Sequence, residues 1–241
     1  MLIGAFHTAV AAFYIFVSHW MFENVVKGGN HPNLHPQVKI MQQYTLRYLT
    51  NWTFVLQNVF FITSAIFDLT SLFIKAERLR ERTTNFKSYI FTVLAAPSAM
   101  IVSLVFWSLW AVDRELIYPS HMDTVLPVWT NHSLHTTTTL FAIAEMFLCQ
   151  HKFPSFKQGL KGITIYLTLY GICLNATYFE SGFWLYPILK DLTWNLRIVM
   201  YLTVYVVCLG LFLLNKFACS LVWGNKQQTA SKKQKKNKKK N

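Results

Sequence analysis

The sequence predicts an all-α integral membrane protein of six transmembrane helices with both termini cytosolic. Three observations predict it. Only 14% of the 241 residues are charged and 53% are hydrophobic, whereas a soluble globular chain carries about 25% charged residues. Apolar runs of the roughly 20 residues needed to cross a bilayer recur six times. The basic residues collect in alternate connections, the pattern of cytosolic loops. Hydrophobicity this high also excludes a disordered chain. A net charge of +13 raises the question of nucleic acid, but these bases sit between apolar runs, so membrane lipid is the partner they fit.

The spans follow in order: residues 2–22, 48–74, 89–112, 125–149, 160–179 and 196–223. The first has no base ahead of it and no Ala-x-Ala-like cleavage site behind it, so it reads as a retained span rather than a signal peptide. Lys75, Arg78, Arg80, Arg82 and Lys87 follow the second span, and Lys152, Lys157 and Lys161 follow the fourth. With the basic tail they define the cytosolic side. Asp113, Arg114, Glu115 and Asp123 follow the third span, Lys190 and Asp191 the fifth; these face the other way. Glu23, Lys27 and Lys39 after the first span are a mild exception in a longer loop.

Residues 1–225 form one membrane domain and 226–241 a Lys-rich cytosolic tail. Seven lysines lie in 232–240, and the other 16 bases exceed the 10 acids by 6, so about half of the net charge belongs to the tail. Lys238 and Lys239 stand fourth and third from the end, as in a dilysine retrieval signal of the endoplasmic reticulum; a strip bound to anionic lipid is the alternative. The reticulum is the expected location, the plasma membrane the alternative. Cys149, Cys173, Cys208 and Cys219 lie in or beside apolar runs without a CxxC spacing, which argues against zinc, redox-motif and disulfide-framework readings. The sequons at Asn51, Asn131 and Asn175 fall within spans and are expected to be unused.

Chemistry has to come from polar residues inside the membrane, where they are costly and mark function by default. His132 and His135 are three apart in the fourth span, so they share a helical face, with Asn131 beside them and Glu145 about 15 Å further along. The second span holds Thr50, Gln57, Asn58 and Asp68; the fifth ends at Glu180. By depth, Thr50, His135, Glu180 and Asp123 gather toward the lumenal half, Asp68 and Glu145 toward the cytosolic half. An offset between Thr50 and His135 remains, which tilt or a later start of the fourth span would close.

A hydroxyl beside an imidazole is the minimal apparatus of nucleophilic acyl transfer: the base takes the hydroxyl proton and returns it to the leaving alkoxide. Asn131 or backbone N–H groups are candidates to stabilise the oxyanion. A metal site of His132, His135 and Glu145 is a second reading, although Glu145 is too distant along one helix; haem ligation using His7 or His19 is a third. On composition and spacing alone, a buried polar network that fixes helix packing leads.

The chain resembles the androgen-induced protein and androgen-dependent TFPI-regulating protein family. The matching stretches are Arg47-Tyr48-Leu49-Thr50 leading to Leu56-Gln57-Asn58-Val59-Phe60-Phe61; Arg114-Glu115-Leu116-Ile117-Tyr118-Pro119; Asp123 through Trp129; Asn131-His132-Ser133-Leu134-His135-Thr136 with Glu145; and Tyr178 through Gly182 with Trp184, Tyr186 and Pro187. The resemblance implies a membrane-embedded threonine hydrolase that cleaves fatty acid esters of hydroxy fatty acids. It implies Thr50 as nucleophile and His135 as base; His132, Asn131 and Glu180 are supporting candidates read from their positions, and no cofactor or metal is expected. Leu46-Arg47 stands where the family has Trp-Lys, which keeps the charge and alters the mouth of the pocket. The substrate enters from the bilayer, and Arg47 is expected to hold its carboxylate. The competing expectation is a non-enzymatic membrane regulator that controls another protein's expression or trafficking.

Overall fold

The computed structural model describes residues 2–27, 34–71 and 77–238, with side chains described up to Gly224. The described residues hold helices and turns and no strand. Helix α1 spans Leu2–Met21 and runs on as a wider π turn, Phe22–Val26. The short α2 (Pro36–Gln43) precedes α3 (Leu49–Thr70). Helix α4 (Glu77–Tyr89) passes through a π segment, Ile90–Ala95, into α5 (Ala96–Val112). Then come α6 (Val128–His135), α7 (Thr137–Leu148), α8 (Phe156–Ser181), the single turn α9 (Ile188–Asp191) and α10 (Trp194–Lys238).

Five helices are long and apolar enough to cross a membrane: Leu2–Val26, Leu49–Thr70, Glu77–Val112, Phe156–Ser181 and Trp194–Gly224. The fourth expected span differs. It starts at Val128 and breaks at Thr136, whose φ of −118° and ψ of −54° depart from regular helix, so neither α6 nor α7 reaches spanning length alone. The basic connection after the second span also differs, because Glu77–Tyr89 is helical and continuous with the third span. Its Arg, Glu and Leu residues are good helix formers. Lys75 and the end of the second expected span fall in residues 72–76, and Lys239 to Asn241 of the tail also lie outside the described residues.

Local sequence explains the other boundaries. Pro97 lacks an N–H and crowds the carbonyl a turn earlier; the π segment just before it absorbs the mismatch. There Gln57 Nε2 donates to the Ala95 carbonyl at 3.0 Å. Helix α8 opens on a capping box of Ser155 and Gln158 and closes on Gly182 at φ +74°, where a residue with a Cβ would be strained.

Packing is aromatic. Helices α1 and α3 lie antiparallel, with Tyr14 edge-on to Phe54 and Phe61. Helix α5 packs on α7 and α10, and α8 on α10. Gly159 lies against the ring of the fully buried Phe212, leaving no room for a Cβ. The basic connections meet at one end of the bundle, where Lys152 N donates to Ser88 Oγ at 3.3 Å and Lys152 Nζ to Asn85 Oδ1 at 3.3 Å. At the other end, residues 34–48, 113–127 and 182–193 fold into short helical turns. His35 stacks on His121 at 4.0 Å, and Tyr48 packs edge-on to Tyr186.

Candidate active site

These turns explain why α3 starts below the end of the bundle. Residues Thr45–Arg47 make one tight turn, Tyr48 is extended, and the helix begins at Leu49. Leu49 N–H donates to the Tyr186 hydroxyl at 3.0 Å, and burial raises the Tyr186 phenol so that this hydroxyl keeps its proton. Thr50 is therefore in the first turn, where N–H groups lack partners within the helix. Asn51 and Trp52 donate to the Tyr48 carbonyl, but no backbone acceptor meets Thr50 N–H among the described residues.

His135 ends α6. The break after it leaves its carbonyl to two donors from α5, Ser103 Oγ at 2.5 Å and Trp107 Nε1 at 3.2 Å. Its ring stacks on Phe106 with centroids 3.6 Å apart and planes 11° from parallel. Nδ1 faces the Asn131 carbonyl at 3.1 Å and Asn131 Oδ1 at 2.7 Å. A side-chain amide can be assigned either way round, but a backbone carbonyl cannot. Nδ1 therefore carries the proton and donates to Asn131. Nε2 is left with its lone pair, aimed at Thr50 Oγ1, which donates to it at 3.2 Å. His135 is 8% exposed. The 3.2 Å contact shows that the expected depth offset is absent, and α6 starts at Val128, three residues later than expected.

Thr50 and His135 open on a cavity of about 1220 Å³ with mostly apolar walls, to which α2, α5, α8, α10 and the turns around Tyr118 and Leu185 contribute. A cavity of that size suits a long-chain ligand.

The other expected site residues divide. Asn131 is in the site, but its Oδ1 orients the imidazole instead of facing an oxyanion. His132 stacks on Trp107 and bonds Thr136 Oγ1 through Nδ1 at 3.0 Å; it has no bond to Thr50. Arg47 Nη1 donates to Glu180 Oε2 at 2.5 Å and to Thr177 Oγ1 at 3.2 Å. That carboxylate raises the arginine further above its ordinary range. Neither Arg47 nor Glu180 lines the cavity, so the arginine expected to hold a substrate carboxylate is engaged with a protein one. Asp123 pairs with Arg114 at 2.8 Å, away from Thr50.

Glu145 belongs to a second polar cluster toward the basic end. His7 bridges Asp68 (Nδ1, 2.6 Å) and Glu145 (Nε2, 2.9 Å), and Glu145 also meets His151 Nε2 at 2.9 Å. The metal set of His132, His135 and Glu145 is thus not brought together. Cys149 Sγ lies 3.7 Å from His7 Nε2, and donor atoms of His7, Glu145 and Cys149 fall within 4.8 Å of one another. Those three are the described residues with metal-ligand spacing; His7 and Glu145 there are already hydrogen-bonded to each other. Sequence reasoning placed Asp68 and Glu145 together toward the cytosolic half and missed His7, Cys149 and His151 beside them, which come from α1 and the loop after α7. It missed Ser103, Phe106 and Trp107 because they are ordinary residues of an apolar span.

Fold and site together define a polytopic helical membrane protein with an oriented Thr–His pair opening on a lipid-sized cavity. A family model described as FAR-17a/AIG1-like protein matches residues 4–219, and the chain belongs to that family. It is 30% identical to the human androgen-induced gene 1 protein over 78% of this chain and 82% of that one. With the mouse androgen-dependent TFPI-regulating protein the identity is 32%, over 74% of this chain and 77% of the other. With the human one it is 29%, over 94% and 96%. No solved structure matches the chain.

Proposed function

We propose that this protein is a transmembrane threonine hydrolase that cleaves fatty acid esters of hydroxy fatty acids. The observation that carries the reading is the unprotonated His135 Nε2 3.2 Å from Thr50 Oγ1, with Nδ1 anchored on Asn131. The imidazole takes the Thr50 proton as Oγ1 attacks the ester carbonyl, and returns it to the leaving alkoxide as the C–O bond breaks. Water then repeats the sequence on the acyl-threonine, His135 again acting as base, and the acid is released. Thr50 N–H, at the positive end of α3, is the oxyanion donor in this scheme.

The chain crosses the membrane six times, α6 and α7 together making the fourth crossing of about 30 Å by helical rise. Both termini are cytosolic, in the endoplasmic reticulum. Support comes from the meeting of the basic connections at one end of the bundle, the end that the charge rule assigns to the cytosol.

The test is covalent labelling of the full-length protein with a fluorophosphonate probe, beside hydrolysis of such an ester. Labelling and hydrolysis are expected for the natural protein and lost in Thr50→Ala and His135→Ala at unchanged folding. Full activity in either variant would falsify the proposal.

A further inference from the structure

The cavity that holds Thr50 and His135 carries charge of one sign. Lys190 and Arg197 line it, and no Asp or Glu does. Lys190 is exposed, but Arg197 is only 8% exposed. Arg197 lies in the first turn of α10, and its Nε donates to the Leu189 carbonyl at 2.9 Å. Trp184 and Trp194 lie 4.5 and 4.7 Å from the guanidinium carbon. Of its five N–H donors these contacts account for one. Among the described residues no carboxylate oxygen lies within 4.0 Å of its nitrogens. Among the described residues no acceptor meets its Nη atoms, and the residue lines the cavity.

A cation this far from water with no counter-ion is costly. Cation–π contact offsets only part of that cost. The cost falls when an anion enters. The planar fork left free matches a carboxylate bidentately, and the apolar walls suit a hydrocarbon chain.

We propose that Arg197 is a carboxylate-binding subsite of this cavity, taking the acid end of a long-chain fatty amphiphile. Joined to the hydrolase reading, on which this extension rests, it selects esters that carry a free carboxylate and sets their carbonyl at Thr50. Binding of a fatty acid at Arg197 does not itself depend on that reading.

The experiment uses full-length Thr50→Ala protein in lipid nanodiscs and a fluorescent long-chain fatty acid displaced by oleate, methyl oleate or lysophosphatidic acid. Oleate is expected to displace the probe about tenfold better than methyl oleate, the scale of a charge-assisted hydrogen bond. Arg197→Gln removes that preference with methyl oleate binding unchanged. Arg197→Lys, which keeps the charge but not the fork, weakens it and decides the matter should Arg197→Gln fail to fold. Equal displacement by acid and methyl ester, or a preference that survives both substitutions, overturns the subsite. Lysophosphatidic acid binding more tightly than oleate overturns its assignment to a carboxylate. An intact acid preference with no fluorophosphonate labelling of the natural protein removes the hydrolase reading alone.

Discussion

Asn131→Ala is the sharpest probe of how His135 is poised. The substitution removes Oδ1, the acceptor 2.7 Å from Nδ1, and keeps the backbone carbonyl 3.1 Å from the same nitrogen. A hydrogen bond of this kind contributes about 0.5–1.5 kcal/mol net, and 1.36 kcal/mol is a factor of ten in rate. If that loss falls wholly on the transition state, kcat drops about 2- to 13-fold. The drop stays small because the remaining carbonyl still fixes the proton on Nδ1 and the Phe106 ring still holds the plane of the imidazole. The assay is ester hydrolysis by purified protein, with fluorophosphonate labelling rate as the second readout. A loss beyond a thousandfold at unchanged folding would show that the side chain alone sets the tautomer. No loss at all would show that Asn131 does not orient the ring. Either result refutes the reasoning.

Two further outcomes test the frame around the site. Burial, with His35 against it, lowers the His121 pKa. The folded protein therefore binds fewer protons there than the unfolded chain. Its stability is full above the ordinary histidine pKa of about 6.5 and falls as pH drops through it. His121→Phe should flatten thermal stability against pH in that window, and an unchanged pH dependence would contradict the assignment. Glu145 is 1% exposed between His7 and His151, and breaking a buried charged network of this kind costs about 3–5 kcal/mol. Glu145→Ala should lower the thermal midpoint in detergent while fluorophosphonate labelling of Thr50 persists in the cold; loss of labelling in protein that remains folded would tie this cluster to the chemistry.

The sequence by itself determined the class of the protein. Apolar runs and the sidedness of Lys and Arg follow from transfer energies that act residue by residue, so four of the six expected spans lie within a few residues of membrane-length helices, and Thr50 and His135 could be singled out as polar groups where the bilayer tolerates few. The family resemblance gave that pair its meaning. The tertiary structure decided what no local signal encodes. The break at Thr136 is stabilised by Ser103 and Trp107 from another helix, so a run that reads as one span becomes two helices with His135 at the joint. The recessed start of α3 depends on turns that precede it and on Tyr186, 137 residues away. Arg47 was legible as a cation at the right depth, yet its partner is Glu180. Charge is written in the sequence, but its pairing is settled by which helix ends meet, because electrostatic and hydrogen-bond energies depend on distances that only packing sets.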